Sequence, residues 1–281
     1  MDTMIRAQKE KQNDSSKLNQ MFNKVPEITI YFWIIKILCT TVGETFSDFL
    51  SSSLHLGETI TALVMGVILV SVLIFQFKSK KYTPWLYWLS VVLISIVGTL
   101  ITDNMTDNLG ISLFFSSGLF TILLAFTFIA WYWKEKTLSV HSIVTRTREY
   151  FYWLVILFTF ALGTAVGDLI TEQFNLGYLM GVLLFAGAIA LITIFHYIMK
   201  GVLGLEHKHF SRNAVFAFWF AYILTRPLGA SIGDLLSQDR ASGGLGLGPT
   251  VTSIIFLTAI LLTVIYLSVT KKDLEATAIT A

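Results

Sequence analysis

The sequence predicts an all-α, polytopic membrane protein: eight transmembrane helices arranged as four parallel two-helix repeats. Three observations carry that expectation. Of 281 residues, 54% are hydrophobic and only 14% are charged. The apolar residues gather in runs of about 20, the length an α-helix needs to cross the hydrocarbon core. Four times an aromatic residue and a Trp are followed, ten positions after the Trp, by a Gly and then, five positions later, by an Asp.

The runs lie near 28–50, 59–77, 85–103, 111–133, 150–170, 176–198, 213–236 and 249–270, two to each repeat. The motif reads Phe32, Trp33, Gly43, Asp48 in the first copy and Tyr87, Trp88, Gly98, Asp103 in the second. It reads Tyr152, Trp153, Gly163, Asp168 in the third and Phe218, Trp219, Gly229, Asp234 in the fourth. Gapless agreement at four positions marks one unit used four times. The repeats occupy about 25–82, 83–140, 148–204 and 212–270 of a single membrane domain spanning 25–270. Residues 1–24 are polar, lack the apolar core of a signal peptide, and read as a disordered cytoplasmic tail, with 271–281 as a second tail. The single Cys39 lies in the first span, which excludes an internal disulfide and a cysteine metal cluster. A Leu-Gly pair before each even span, ending in Gly57, Gly110, Gly177 and Gly248, reads as a short turn.

Orientation follows from Lys and Arg, which are retained in cytoplasmic loops. They cluster before the first span and after the second, fourth, sixth and eighth, whereas the opposite connections carry only Arg240. Both termini are therefore expected in the cytoplasm. Two spans per repeat make every copy enter the membrane in the same direction, so the repeats are related by an axis along the membrane normal. Each Asp then stands about 22 Å beyond its Trp, toward the outer face.

Stepping one helical turn back and one turn on from each Asp gives four stripes on one face. They are Glu44, Asp48, Ser52; Thr99, Asp103, Asp107; Thr164, Asp168, Glu172; and Ala230, Asp234, Gln238. Turned toward one another, they would line an acidic vestibule with Asp107 and Glu172 at its rim. Within the odd spans only Lys36 and Arg226 oppose Glu44 and the four Asp. At about 2.5 to 3.5 kcal/mol per charge at a helix centre, four bare Asp would cost roughly 10 to 14 kcal/mol, so they must be hydrated, protonated or neutralised by a cation. Lys36 and Arg226 each precede an acid of their own span by eight residues, about 12 Å, so their partners should belong to other helices. Pro227, beside Arg226, is expected to kink or break its helix.

Blander readings stand beside these. The four Gly suit close helix packing, the aromatic-Trp pairs suit interfacial anchors, and the four Asp suit either helix ends at the outer interface or functional carboxylates. Glu44 one turn deeper and the uncompensated charge favour the second. His55 reads as a solvated loop residue, and His207 and His209 as part of a basic cytoplasmic loop. No nucleic-acid patch, phosphate-binding loop, zinc-protease helix or nucleophile elbow occurs, and no cofactor is expected.

The run Val25, Pro26, Glu27, then Tyr31, Phe32, Trp33, Ile34, Ile35, Lys36, then Thr40, Thr41, Val42, Gly43, Glu44, Thr45, together with the fourfold Trp and Asp, resembles a family of bacterial integral membrane proteins known mainly for their repeat. That family consists of four tandem copies of a repeat of unknown function, each with two transmembrane segments and a characteristic Trp. The resemblance covers about residues 24–270 and implies architecture and residence in the bacterial cytoplasmic membrane, and no activity. Lys36, Glu44, Arg226 and Pro227 occur in one copy each, which points to specialised first and fourth units.

The expected function is a transporter or exporter for a small cation, either a proton or a hard divalent ion such as Mn²⁺ or Mg²⁺. Glu44, Asp48, Asp103, Asp168 and Asp234 would be its metal ligands or proton carriers, and Lys36 and Arg226 competing countercharges. An anion or organic-solute carrier using Lys36 and Arg226 is the alternative, and a scaffold or sensor docking partners on the basic loops is another. An enzyme is disfavoured. The partners expected are the lipid bilayer and a small ion or solute, with no nucleic acid, and the oligomeric state stays open.

Overall fold

The computed structural model describes residues 23–202 and 207–274, with side chains described except at 200–202 and 207–212. Most of the expected tails and the side chains of His207 and His209 lie outside the described residues. Among the described residues there is no strand. Eight long helices follow one another: α1 Ile30–Asp48, α2 Glu58–Lys78, α3 Pro84–Asp103, α4 Leu113–Glu135, α5 Arg146–Asp168, α6 Tyr178–Val202, α7 His207–Ser237 and α8 Pro249–Thr270. Seven of them are long and apolar enough to cross a membrane. The exception is α1, whose apolar run is diluted by Lys36, Glu44 and Asp48.

Local sequence explains the boundaries. Proline opens α3 and α8, where its missing N–H has no helical partner to lose. Ser112 and Thr145 cap α4 and α5 by accepting from the amides of Phe115 and Arg148. The Gly of each Leu-Gly turn has positive φ, 72° at Gly57, 64° at Gly110, 76° at Gly177 and 78° at Gly248, a conformation that strains any residue with a Cβ. Helices α1, α3 and α5 each end on the motif Asp and pass into a five-residue π-helical turn, Phe49–Ser53, Asn104–Asn108 and Leu169–Gln173. In the fourth repeat the α-helix runs through Asp234 to Ser237.

The odd helices form a closed inner ring in which α1 packs on α3, α3 on α5, α5 on α7 and α7 on α1. The even helices lie outside, and each covers the odd helix of the following repeat: α2 on α3, α4 on α5, α6 on α7, and α8 back on α1. The division is visible in burial, since the most apolar stretch of α3, α5 and α7 is 56–83% buried against 11–28% for α2, α4, α6 and α8. The outward faces of the even helices carry exposed Leu63, Val67, Phe126 and Val269, a surface suited to lipid.

The motif glycines are the points of closest approach in the ring. A Cβ on Gly43 would collide with Ser95 of α3, on Gly98 with Phe160 of α5, on Gly163 with Arg226 of α7, and on Gly229 with Thr40 of α1. The residue met is always the one seven after the Trp of the next repeat, so a single contact is made four times around the axis. This is the small-residue packing expected of them.

The aromatic-Trp pairs, in contrast, are not interfacial anchors. Each aromatic packs on the Trp of the neighbouring repeat: Phe32 on Trp88 at 5.6 Å, Tyr87 on Trp153 at 5.5 Å, Tyr152 on Trp219 at 6.3 Å and Phe218 on Trp33 at 5.7 Å. Tyr87 and Tyr152 are fully buried and share a 2.5 Å hydroxyl hydrogen bond. The pairs close the interior of the ring as an aromatic girdle. Six of the eight rings are buried and Trp33 and Phe218 half-buried, because they project from the inward face, whereas an anchor must face the headgroups.

The break expected at Pro227 does not occur, and α7 continues through it as an α-helix. The proline ring rests against Gly163 and Gly167 of α5, where the absence of side chains leaves room for it. Neighbouring helices can support a proline inside a membrane helix in this way.

At the end of the bundle that carries the termini, residues 23–27 form a strap, so the predicted tail is ordered at Asn23 and Lys24. Lys24 donates to Glu149 at 2.5 Å and to the Phe77 carbonyl at 3.2 Å, and Gln76 also donates to Glu149. The Lys24 and Glu27 amides bond the carbonyls of Ile143 and Asp273. Tyr82, packed on Tyr87 of the girdle, donates its hydroxyl to Asp273 at 2.7 Å. Burial pushes the Asp273 carboxyl up from the ordinary aspartate range, against the hydrogen bond from Tyr82.

Three outcomes follow from this packing. Gly229→Ala should overpack the ring and cost about 1–3 kcal/mol, while Gly66→Ala, which meets nothing within 4 Å, should be tolerated; thermal unfolding in detergent compares them. Glu149→Gln leaves Lys24 buried without its carboxylate, a loss of about 3–5 kcal/mol, and should open the Lys24 peptide bond to trypsin. Because the folded pKa of Asp273 is raised, its contribution to stability is present in acid and lost as pH rises through that pKa. Asp273→Asn keeps an acceptor for Tyr82 and cannot ionise, so its melting temperature should match the wild type in acid and exceed it at neutral pH.

Candidate functional site

Above the aromatic girdle the ring is filled by charged and hydroxyl side chains in layers. Three residues after each Trp stand Lys36, Val91, Ile156 and Tyr222, all fully buried. Seven after each Trp stand Thr40, Ser95, Phe160 and Arg226; eleven after, Glu44, Thr99, Thr164 and Ala230; fifteen after, the four Asp.

The guanidinium of Arg226 ties the four repeats together. It is fully buried, and its Nη1 donates to the Thr40 carbonyl at 2.9 Å. Its Nη2 donates to Glu44 Oε2 at 2.7 Å, to Thr164 Oγ1 at 2.8 Å, and to Thr99 Oγ1. Glu44, Thr99 and Thr164 are the same position of repeats one, two and three, so one cation from the fourth repeat is held by the other three. The expectation that Arg226 pairs with an acid on another helix holds, and the acid is Glu44. An Arg suits the place because its fork of donors can serve several acceptors at once.

Lys36 departs from expectation, since no carboxylate meets it. Its Nζ lies 3.8 Å from the centre of the Phe160 ring and 4.1 Å from that of Tyr222, and makes no hydrogen bond. The four Asp form the next layer. Asp103 is within Coulombic reach of Glu44, Asp168 and Asp48, and Asp234 of Glu44, Asp48, Asp168 and Glu172. Among the described residues none of the four makes an ion pair, because Arg226 is taken by Glu44.

Accessibility along the stripes increases in one direction. Glu44, Thr99, Thr164 and Ala230 are buried; Asp48, Asp103 and Asp168 are half-buried, with Asp234 buried; Asp107, Glu172 and Ser52 are exposed. Exposure thus rises from the Arg226 layer toward the end opposite the termini. Asp107 and Glu172 stand at that end, and beside Glu172 a polar hollow of about 280 Å³ is lined by Thr171, Asn175, Tyr178 and Ser242. Three of the Asp end their α-helices, and the four stand at matching positions around the axis. His55 is exposed and bonds only the nearby Ser52 carbonyl, as a loop histidine should.

The assignment of Glu44 and the four Asp as a metal centre is not met. Among the described residues no three His, Cys, Asp or Glu side chains are grouped closely enough to hold a metal ion. The physical reason is the ring itself: one acid per helix on four helices spreads the layer around the axis, and Glu44, the one that lies deeper, is spent on Arg226. Sequence reasoning passed over Tyr222, Phe160 and the Thr40 carbonyl. Reading all four copies at the offsets of Lys36 and Arg226 from their Trp would have found Tyr222 beside the first and Thr40 and Phe160 beside the second.

Four successive stretches, 31–82, 86–137, 151–201 and 217–273, match the family described as Repeat of Unknown Function (DUF347). No curated protein and no solved structure matches the chain. The matched stretches cover most of the sequence and coincide with the four structural units of the ring, so the chain belongs to the DUF347 repeat family.

Proposed function

We propose that this protein carries a small cation across a membrane through the axis of the odd-helix ring. In this reading all eight helices span a bacterial cytoplasmic membrane, and both termini face the cytoplasm in accordance with the basic loops. The strap and aromatic girdle then close the cytoplasmic end, and an acidic recess opens outward. Helix α1 is able to span in spite of its charges because its Lys36 and Glu44 are enclosed by the other odd helices.

The observation that carries the proposal is the position of Arg226 directly beneath the Asp layer, bonded to Glu44. A cation descending the recess meets four carboxylates without ion-pair partners and then competes with the guanidinium for Glu44. Binding there would take from Arg226 its one carboxylate, leaving it on Thr40, Thr99 and Thr164, and loosen the inward closure, which couples occupancy to opening. Protons suit the acids as they stand, because transfer between carboxyls needs one acceptor at a time. A divalent ion such as Mn²⁺ or Mg²⁺ would require the acids to draw together, since hard cations demand six or more oxygens.

The test is transport in vesicles that contain the purified protein, with a pH-sensitive dye for protons and a Mn²⁺-quenched dye for metal. Asp48→Asn and Asp168→Asn should each abolish cation movement while leaving the protein folded and inserted, because each keeps its shape and loses its charge. Undiminished transport in both variants would assign the acids to structure alone and end this reading.

A further inference from the structure

Between the girdle and the Glu44 layer lies a part of the axis that cation passage does not explain. Lys36, Cys39, Tyr222 and Arg226 are there, each fully buried, and Lys36 and Arg226 lie within reach of one another's charge. Among the described residues no carboxylate is among the charges that act on Lys36, and Glu44 is the only acid paired with Arg226. This part of the interior therefore holds two basic side chains, Lys36 and Arg226, for one acid.

The hydrogen-bond inventory has the same bias. Nζ of Lys36, Nε of Arg226, Oη of Tyr222 and Oγ of Ser95 are all buried and all lack a partner. Two of these groups are donors only and the two hydroxyls are able to donate. Buried polar groups are nearly always satisfied, so such a concentration of unused donors calls for an acceptor that belongs to no side chain nearby. Aromatic rings flank Lys36 on two sides, and their faces attract its ammonium without accepting the strong hydrogen bonds that it offers.

We propose that these groups bind a small monovalent anion of the halide class, chloride in a cell, between Lys36, Tyr222 and Arg226. One negative charge would favour the ammonium form of Lys36 beside Arg226, and a spherical ion accepts from donors arriving in several directions. The complete burial of the surrounding Val91, Ile156 and Phe160 restricts the occupant to an ion of about water size and excludes organic anions. This site lies on the opposite side of Arg226 from the Asp layer and does not depend on the cation reading. A bound halide would hold Arg226 from below while Glu44 holds it from above.

An anion that binds only the folded protein stabilises it by RT ln(1 + c/Kd) at anion concentration c, so the melting temperature keeps rising with concentration. Full-length protein in detergent should therefore be stabilised by chloride or bromide, titrated against gluconate at constant ionic strength. Lys36→Met should weaken the apparent halide affinity by about tenfold or more, the loss of one charged hydrogen bond. Tyr222→Phe, a smaller change that preserves the ring over Lys36, should weaken it by a few-fold, and Lys80→Met, at an exposed position far along the chain from the site, should leave it unchanged. Absence of a halide response in the wild type overturns the site, as does an equal response in both the Lys36 and Tyr222 variants. Because the halide titration reads melting temperature and not transport, failure of this site and failure of the cation reading are told apart.

Discussion

A guanidinium cannot stand unpartnered at the centre of a helical bundle, and Arg226 meets that requirement by drawing acceptors from every other repeat. Thr40 and Glu44 supply α1, Thr99 supplies α3 and Thr164 supplies α5. Replacing any one would return part of the desolvation cost of a buried cation, which runs to several kcal/mol. The bond to Glu44 thus does double duty. It closes the ring at its middle, and it leaves the next layer of acids without a basic partner.

That closure rests on a ring built by one contact repeated. Each motif Gly receives the residue seven after the Trp of the following repeat, and each even helix covers the same following repeat. No repeat therefore completes its own core; each is finished by its neighbour, and the fourth is finished by the first. A symmetric shell of this kind tolerates asymmetry at the axis, where Lys36, Glu44 and Arg226 each occur once. Chemistry is concentrated on single copies while packing is shared by all four.

Much of this was legible in the sequence. The helix limits, the parallel repeats, the turn glycines and the packing role of the motif glycines all follow from spacing, because a fourfold coincidence at fixed offsets survives only where geometry demands it. The acids were found because a carboxylate inside an apolar run stands out. The fate of the aromatic pairs was not legible, since an aromatic-Trp pair near a helix end reads alike whether it faces lipid or an axis. The continuity of α7 through Pro227 was not legible either, because it depends on Gly163 and Gly167 of another helix, a fact of tertiary structure. Lys36 was assigned an acid because charge suggests charge, whereas the ring places it over Phe160 and Tyr222. The strap escaped notice for a related reason: Lys24 and Glu149 lie 125 positions apart, and neither belongs to the repeat motif.

The proposed cation path requires that the matching acids be reached by water from one side only. Site-directed labelling tests this directly: single cysteines at positions 48, 103 and 168, in a Cys39→Ser background, exposed to a membrane-impermeant maleimide from either face of oriented membranes. All three should react from the outer face alone, while a cysteine at the lipid-facing position 126 should not react. Protection of the three positions from both sides, or reaction from the cytoplasmic side, would contradict the arrangement described.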